Sequence, residues 1–156
     1  MLLTLLACAK TPLELGPPVE TVQQFKLESP VGTMAGIAVV KLDEDFAMQA
    51  LSPAGFALFT VEGDAVEAPD ETWAAALELI PFSRDMHLVY RWSCPDRCSV
   101  EGGRIKQILN EDGNVARRYR GDGGPATVVI EDGKAVLVDP RRRYTLTVLS
   151  EAIVAR

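Results

Sequence analysis

The sequence is short of the features that hold nucleic acids, metals or reacting substrates. Acidic residues outnumber basic ones 22 to 16, which leaves a net charge of −6. Binding to phosphates needs a concentrated basic surface, so no nucleic-acid partner is expected. The only run of three consecutive basic residues, Arg141-Arg142-Arg143, is too short to change that. Past the first few residues no apolar run approaches the ~18 residues that span a bilayer as a helix. There is a single histidine, His87, and only three cysteines. A metal site would need more ligands than these, and no metal or other cofactor is expected. His87 has no evident nucleophile or positioned carboxylate beside it, and the chain is not expected to be an enzyme. Asp43-Glu44-Asp45 lacks calcium-loop spacing, and Gly121-Asp122-Gly123-Gly124 lacks the lysine and helix of a phosphate cradle. No internal repeat or low-complexity segment is present.

With 156 residues, 47% of them hydrophobic, the chain suits one domain with a real core. Its start has a distinct character. Met1-Leu2-Leu3-Thr4-Leu5-Leu6-Ala7 is apolar and meets Cys8 in the small-residue context of an export signal. The segment resembles a bacterial lipobox, in which the cysteine is acylated, for example with palmitate, and becomes the mature N-terminus. The apolar run is short and no Lys or Arg precedes it; a late-assigned start codon would explain both. The alternative is a buried N-terminal strand with a core cysteine. Ala9 to Val19, with three prolines and a glycine, reads as a tether. The expected organisation is therefore a signal segment over 1–7, a lipidated tether over 8–20 and one domain over 21–152. Ala9 and Lys10 are not the aspartate that retains lipoproteins in the inner membrane. By that general rule the expected location is the periplasmic face of the outer membrane.

From Val22 onward, short apolar runs broken by Gly, Pro, Asp or Asn recur at the spacing of antiparallel strands. Strands are expected near 22–28, 33–42, 45–51, 56–62, 104–109, 114–120, 126–131, 134–139 and 143–149. Asp132-Gly133 is a strong hairpin turn, because it supplies positive φ. Between the two runs the period changes. Asp70 suits a helix N-cap, and Trp73, Leu77 and Ile80 form one apolar stripe up to Pro81. A second helical stretch is expected to place Phe82, Met86, Val89 and Tyr90 on one side, with Arg84, Asp85 and Arg91 mostly on the other. A loop is expected from Ser93 to Gly103. It contains Cys94 and Cys98, which are expected to close a small disulfide in an exported protein.

Several strands look apolar on both faces, as in Ile37-Ala38-Val39-Val40 and Phe56-Ala57-Leu58-Phe59. Two readings remain: a mainly β sheet curled around the helices to leave an apolar hollow, or a sandwich or closed barrel filled by its own side chains. The candidates to line a hollow are Met34, Ile37, Val39, Phe46, Met48, Phe56, Leu58, Trp73, Leu77, Phe82, Met86 and Tyr90. Each is also a plausible core residue.

Three motifs carry a resemblance. Thr33-Met34-Ala35-Gly36 opens a strand, Leu51-Ser52-Pro53-Ala54-Gly55-Phe56-Ala57-Leu58-Phe59 spans a Pro-x-Gly turn, and a Trp-containing helix ends in Leu79-Ile80-Pro81-Phe82. Together they resemble the LolB-like and LolA-like outer-membrane lipoproteins, and most closely an uncharacterised LolB-related lipoprotein family, to whose closing strand Arg143-Tyr144-Thr145-Leu146-Thr147-Val148 is similar. The resemblance implies an unclosed β-barrel with two short helices packed in its mouth. It also implies an apolar cavity that accepts the acyl chain of a lipoprotein or other lipid. No long loop with an exposed leucine is evident, which favours a lipid-handling role over that of a strict receptor. The rival expectation is a scaffolding envelope lipoprotein with a filled core that docks to a protein partner.

Overall fold

The computed structural model describes residues 12–156; the expected signal segment and Cys8 lie outside the described residues. The first run of strands is β1 (Glu14–Leu15), β2 (Val19–Ser29), β3 (Gly32–Leu42), β4 (Phe46–Leu51), β5 (Ala57–Glu62) and β6 (Ala65–Glu67). Helices α1 (Glu71–Glu78) and α2 (Phe82–Met86) follow, and α2 continues into a π-helical turn, His87–Arg91. The second run is β7 (Trp92–Ser93), β8 (Arg97–Val100), β9 (Gly103–Leu109), β10 (Val115–Gly121), β11 (Ala126–Glu131), β12 (Lys134–Asp139) and β13 (Tyr144–Leu149).

Eleven strands form one antiparallel sheet in the order β6-β5-β4-β3-β2-β13-β12-β11-β10-β9-β8. Each half is a meander of hairpins, and the β2–β13 pairing joins the halves. The edge strands β6 and β8 do not pair with each other. The protein is thus a mainly β, curved sheet that stops short of a closed barrel, with two short helices and the π-turn linking its edges. The Asp132-Gly133 turn forms as expected, with Gly133 at φ 81°. At Gly36 the sheet bends so sharply that a Cβ would lie 2.1 Å from the Leu51 carbonyl oxygen, next to a β-bulge at Ala50/Leu51.

Strand periodicity decides which side chains fill the interior. On β3, Met34, Ala38, Val40 and Leu42 point inward and are buried. Ile37 and Val39, both expected to line a hollow, alternate with these and stand on the outer face, 41% exposed. Phe56 is also misplaced by that expectation: it lies in the turn before β5 and is 73% exposed. The helices close over the core. Phe82 stacks on Phe59 at 5.3 Å, and Phe59 meets Phe25 edge-on at 6.0 Å. Leu77, Ile80, Met86 and Leu88 are buried with them. Of the two readings, the interior follows the second, filled by its own side chains, while the sheet itself remains open.

Three expectations need correction. The segment 93–103 is not a plain loop, since β8 adds to the sheet edge and Gln107 donates its amide to the Asp96 carbonyl at 2.7 Å. Cys94 and Cys98 are disulfide-bonded there, with Cα atoms 5.9 Å apart. The tether over 8–20 is partly structured: β1 pairs with β7, and Arg91 holds the Gly16 carbonyl through Nε and Nη2 at 3.1 and 3.0 Å. The domain likewise runs past 152, because Ile153 is buried and the Arg156 carbonyl accepts from Arg117 Nη2 at 2.7 Å.

Candidate functional site at the mouth of the sheet

Asp70 caps α1 by accepting the Trp73 amide at 3.0 Å. The helix then carries two stripes. Trp73, Leu77 and Ile80 turn toward the core, as the sequence implies. Thr72, Ala75, Ala76 and Leu79, also at i, i+3, i+4 and i+7, turn toward a cleft of about 870 Å³. The β2–β3 turn, Ser29-Pro30-Val31, forms the opposite wall, and Gly123, Arg141, Arg142 and Tyr144 close the far end. Leu79 is 68% exposed and Val31 43%, so the walls are apolar yet open to solvent.

The arginine end is held by a buried network. Asp139 Oδ1 accepts the backbone amides of Arg141 and Arg142 at 3.1 and 2.9 Å, which shapes the β12–β13 turn. Asp139 Oδ2 pairs with Arg142 Nη1 at 3.0 Å and Arg84 Nη2 at 3.2 Å. Arg84 also pairs with Asp85 at 2.9 Å and donates to the Gly124 carbonyl at 3.0 Å. Tyr144 donates its hydroxyl to Asp85. Two arginines and two aspartates therefore balance in charge, as burial of ions demands. Burial pushes the Asp85 carboxyl up to about 6, against the opposing pull of Arg84 and of the Tyr144 hydrogen bond. Burial would raise Asp139 too, but the hydrogen bonds from Arg142 and Arg84 outweigh it and leave its pKa below the usual carboxylate range. Among the described residues, Arg141 makes no side-chain ion pair.

Arg84, Asp85 and Arg91 were expected mainly on a polar outer side of the second helix. All three are buried, because the helical segment is enclosed by sheet and turns and their partners come from β12, β13 and the chain near Gly16. His87 is half-buried against Trp92, ring centroids 5.1 Å apart, and donates from Nδ1 to the Ser83 carbonyl at 2.7 Å. Burial lowers its pKa.

None of the residues expected to line a cavity borders this cleft. Met34, Leu58 and Trp73 line a smaller opening of about 340 Å³ on the other side of α1. Phe46, Met48, Leu77, Phe82, Met86 and Tyr90 are buried core. The cleft was recoverable only from the second, weaker stripe on α1, whose alanines and threonine give little hydrophobic contrast. What the arrangement offers chemically is an apolar trough ending at guanidinium groups, suited to an amphiphile with a polar or anionic end. No protein-family model matches this chain, and no curated protein matches it.

Proposed function

We propose that this protein is a lipid-anchored envelope protein, LolB-like in character, that binds or passes on an acyl chain of a lipoprotein or lipid at the mouth cleft. The observation that carries the reading is the cleft itself. Its apolar walls and volume of about 870 Å³ fall within the ~300–1,000 Å³ of small-molecule sites. Anchoring through Cys8 would hold it on the periplasmic face of the outer membrane. The chemistry asked of it is binding and orientation, with no bond made or broken.

A fluorescent fatty acid titrated into the purified chain tests this. Leu79→Glu places a charge in the trough at an exposed position, so binding should weaken by at least about tenfold while the melting temperature stays within a few degrees, as expected of a surface change. Unchanged binding in that variant would remove the cleft as the site. A second reading, the scaffold that docks to an envelope protein, is favoured by the filled interior. It gains if the parent chain binds no acyl probe at all.

A further inference from the structure

Although the chain carries a net charge of −6, one outer face of the sheet is strongly basic. Arg97 on β8, Lys106 on β9 and Arg118 on β10 lie directly across from one another, and Arg104 faces Arg120 one row further along. Strand alternation sends their neighbours Cys98, Ile105, Arg117 and Tyr119 into the core and these five side chains into solvent. They surround a shallow concavity of about 330 Å³. Among the described residues none of the five forms an ion pair. Like charges directly opposite on neighbouring strands destabilise a sheet, so this face is costly without an anion over it. The sequence marks the patch only in part, as Arg117-Arg118-Tyr119-Arg120, because the residues come from three strands and Arg117 turns the other way.

The fold also shows what lies near the patch. The described chain enters at β1, which pairs with β7. The next residue after β7 is Cys94, disulfide-bonded to Cys98 and so fixed beside Arg97. The covalent link thus fixes the edge strand that carries Arg97.

We infer that the face formed by Arg97, Arg104, Lys106, Arg118 and Arg120 rests on the anionic headgroups of a phospholipid bilayer. It provides a membrane contact that does not depend on an N-terminal lipid. The inference shares with the proposed function the setting at a membrane, and it is independent of the cleft. Its physical basis is that each Lys or Arg held near an anionic lipid surface strengthens binding by roughly fivefold, so several on one face together make a stable contact.

The test uses the full chain with Cys8→Ser, so that no lipid is attached, sedimented with vesicles of phosphatidylcholine alone or mixed with phosphatidylglycerol. Binding is expected only to the mixed vesicles, and should fade as salt rises above about 0.15 M. Replacing three basic residues, Arg104→Gln, Lys106→Gln and Arg118→Gln, should weaken it by on the order of 100-fold. Replacing three elsewhere, Lys26→Gln, Lys41→Gln and Lys134→Gln, removes the same charge and should change it little. Equal binding to both vesicle types, equal loss in the two triple variants, or preference for a single-stranded oligonucleotide over the mixed vesicles would overturn the inference. The fatty-acid titration repeated on the patch variant separates the two proposals. Acyl binding should survive there, and failure of the cleft reading would leave the vesicle result untouched.

Discussion

Asp85 shows how one residue can be misread from its neighbours in sequence. An Arg-Asp pair on a short helix suggests a solvated face, yet both side chains are buried. Their side-chain partners Asp139 and Tyr144 lie more than fifty positions away, where no local pattern signals them. The burial has a measurable consequence. With its pKa at about 6 in the fold against 3.8 in a free chain, Asp85 holds a proton between about pH 4 and 6 that the unfolded chain has lost. Stability contributed by this group is present below about pH 4 and is lost as pH rises through 6. Asp139 acts in the opposite sense and in a lower window, below about pH 4. We expect the melting temperature of the parent chain, minus that of Asp85→Asn, to fall between pH 4 and 6. Taking the difference removes His87, whose lowered pKa acts the other way in both chains. A flat difference would mean that Asp85 is ionised throughout.

At the level of elements, the long strands and α1 were legible because period-2 and period-3.6 patterns, caps and turns agreed there. Asp70 and Asp132-Gly133 each do locally what their chemistry dictates. The short edge strands β1, β6, β7 and β8 were not legible, since two to four residues carry too little periodicity and owe their form to a partner already in place. Strand β8 shows how such a piece is secured, because the Cys94–Cys98 bond ties it to the chain leaving the π-turn. So small a loop gives only about 2 kcal/mol in the chain-entropy picture. Replacing both cysteines with alanine should lower the urea midpoint modestly and raise amide exchange in β8 and β9, leaving the β3–β4 amides protected. Global unfolding of that variant at room temperature would show that the bond holds more than the edge.

For the whole molecule, the expectation of lipid anchoring turns on Cys8. Mass spectrometry of the mature chain from a Gram-negative host should show residues 1–7 removed and Cys8 acylated, and an intact Met1 in the membrane fraction would refute it. The open, curved sheet was foreseen from strand spacing and resemblance. Whether the interior is hollow or filled stayed open between two readings, because an apolar strand face reads the same whether it meets a ligand or another side chain. The β2–β13 seam pairs Gln24 with Leu149, nearly the full length of the domain apart, while every other neighbouring pair in the large sheet is a short hairpin. While the chain folds, the first meander can form with one edge of β2 bare, and that edge stays bare until β13 arrives. An uncovered edge invites pairing with another nascent chain. The most hazardous interval in folding is therefore the one before β13 reaches β2, when a neighbouring chain can take its place.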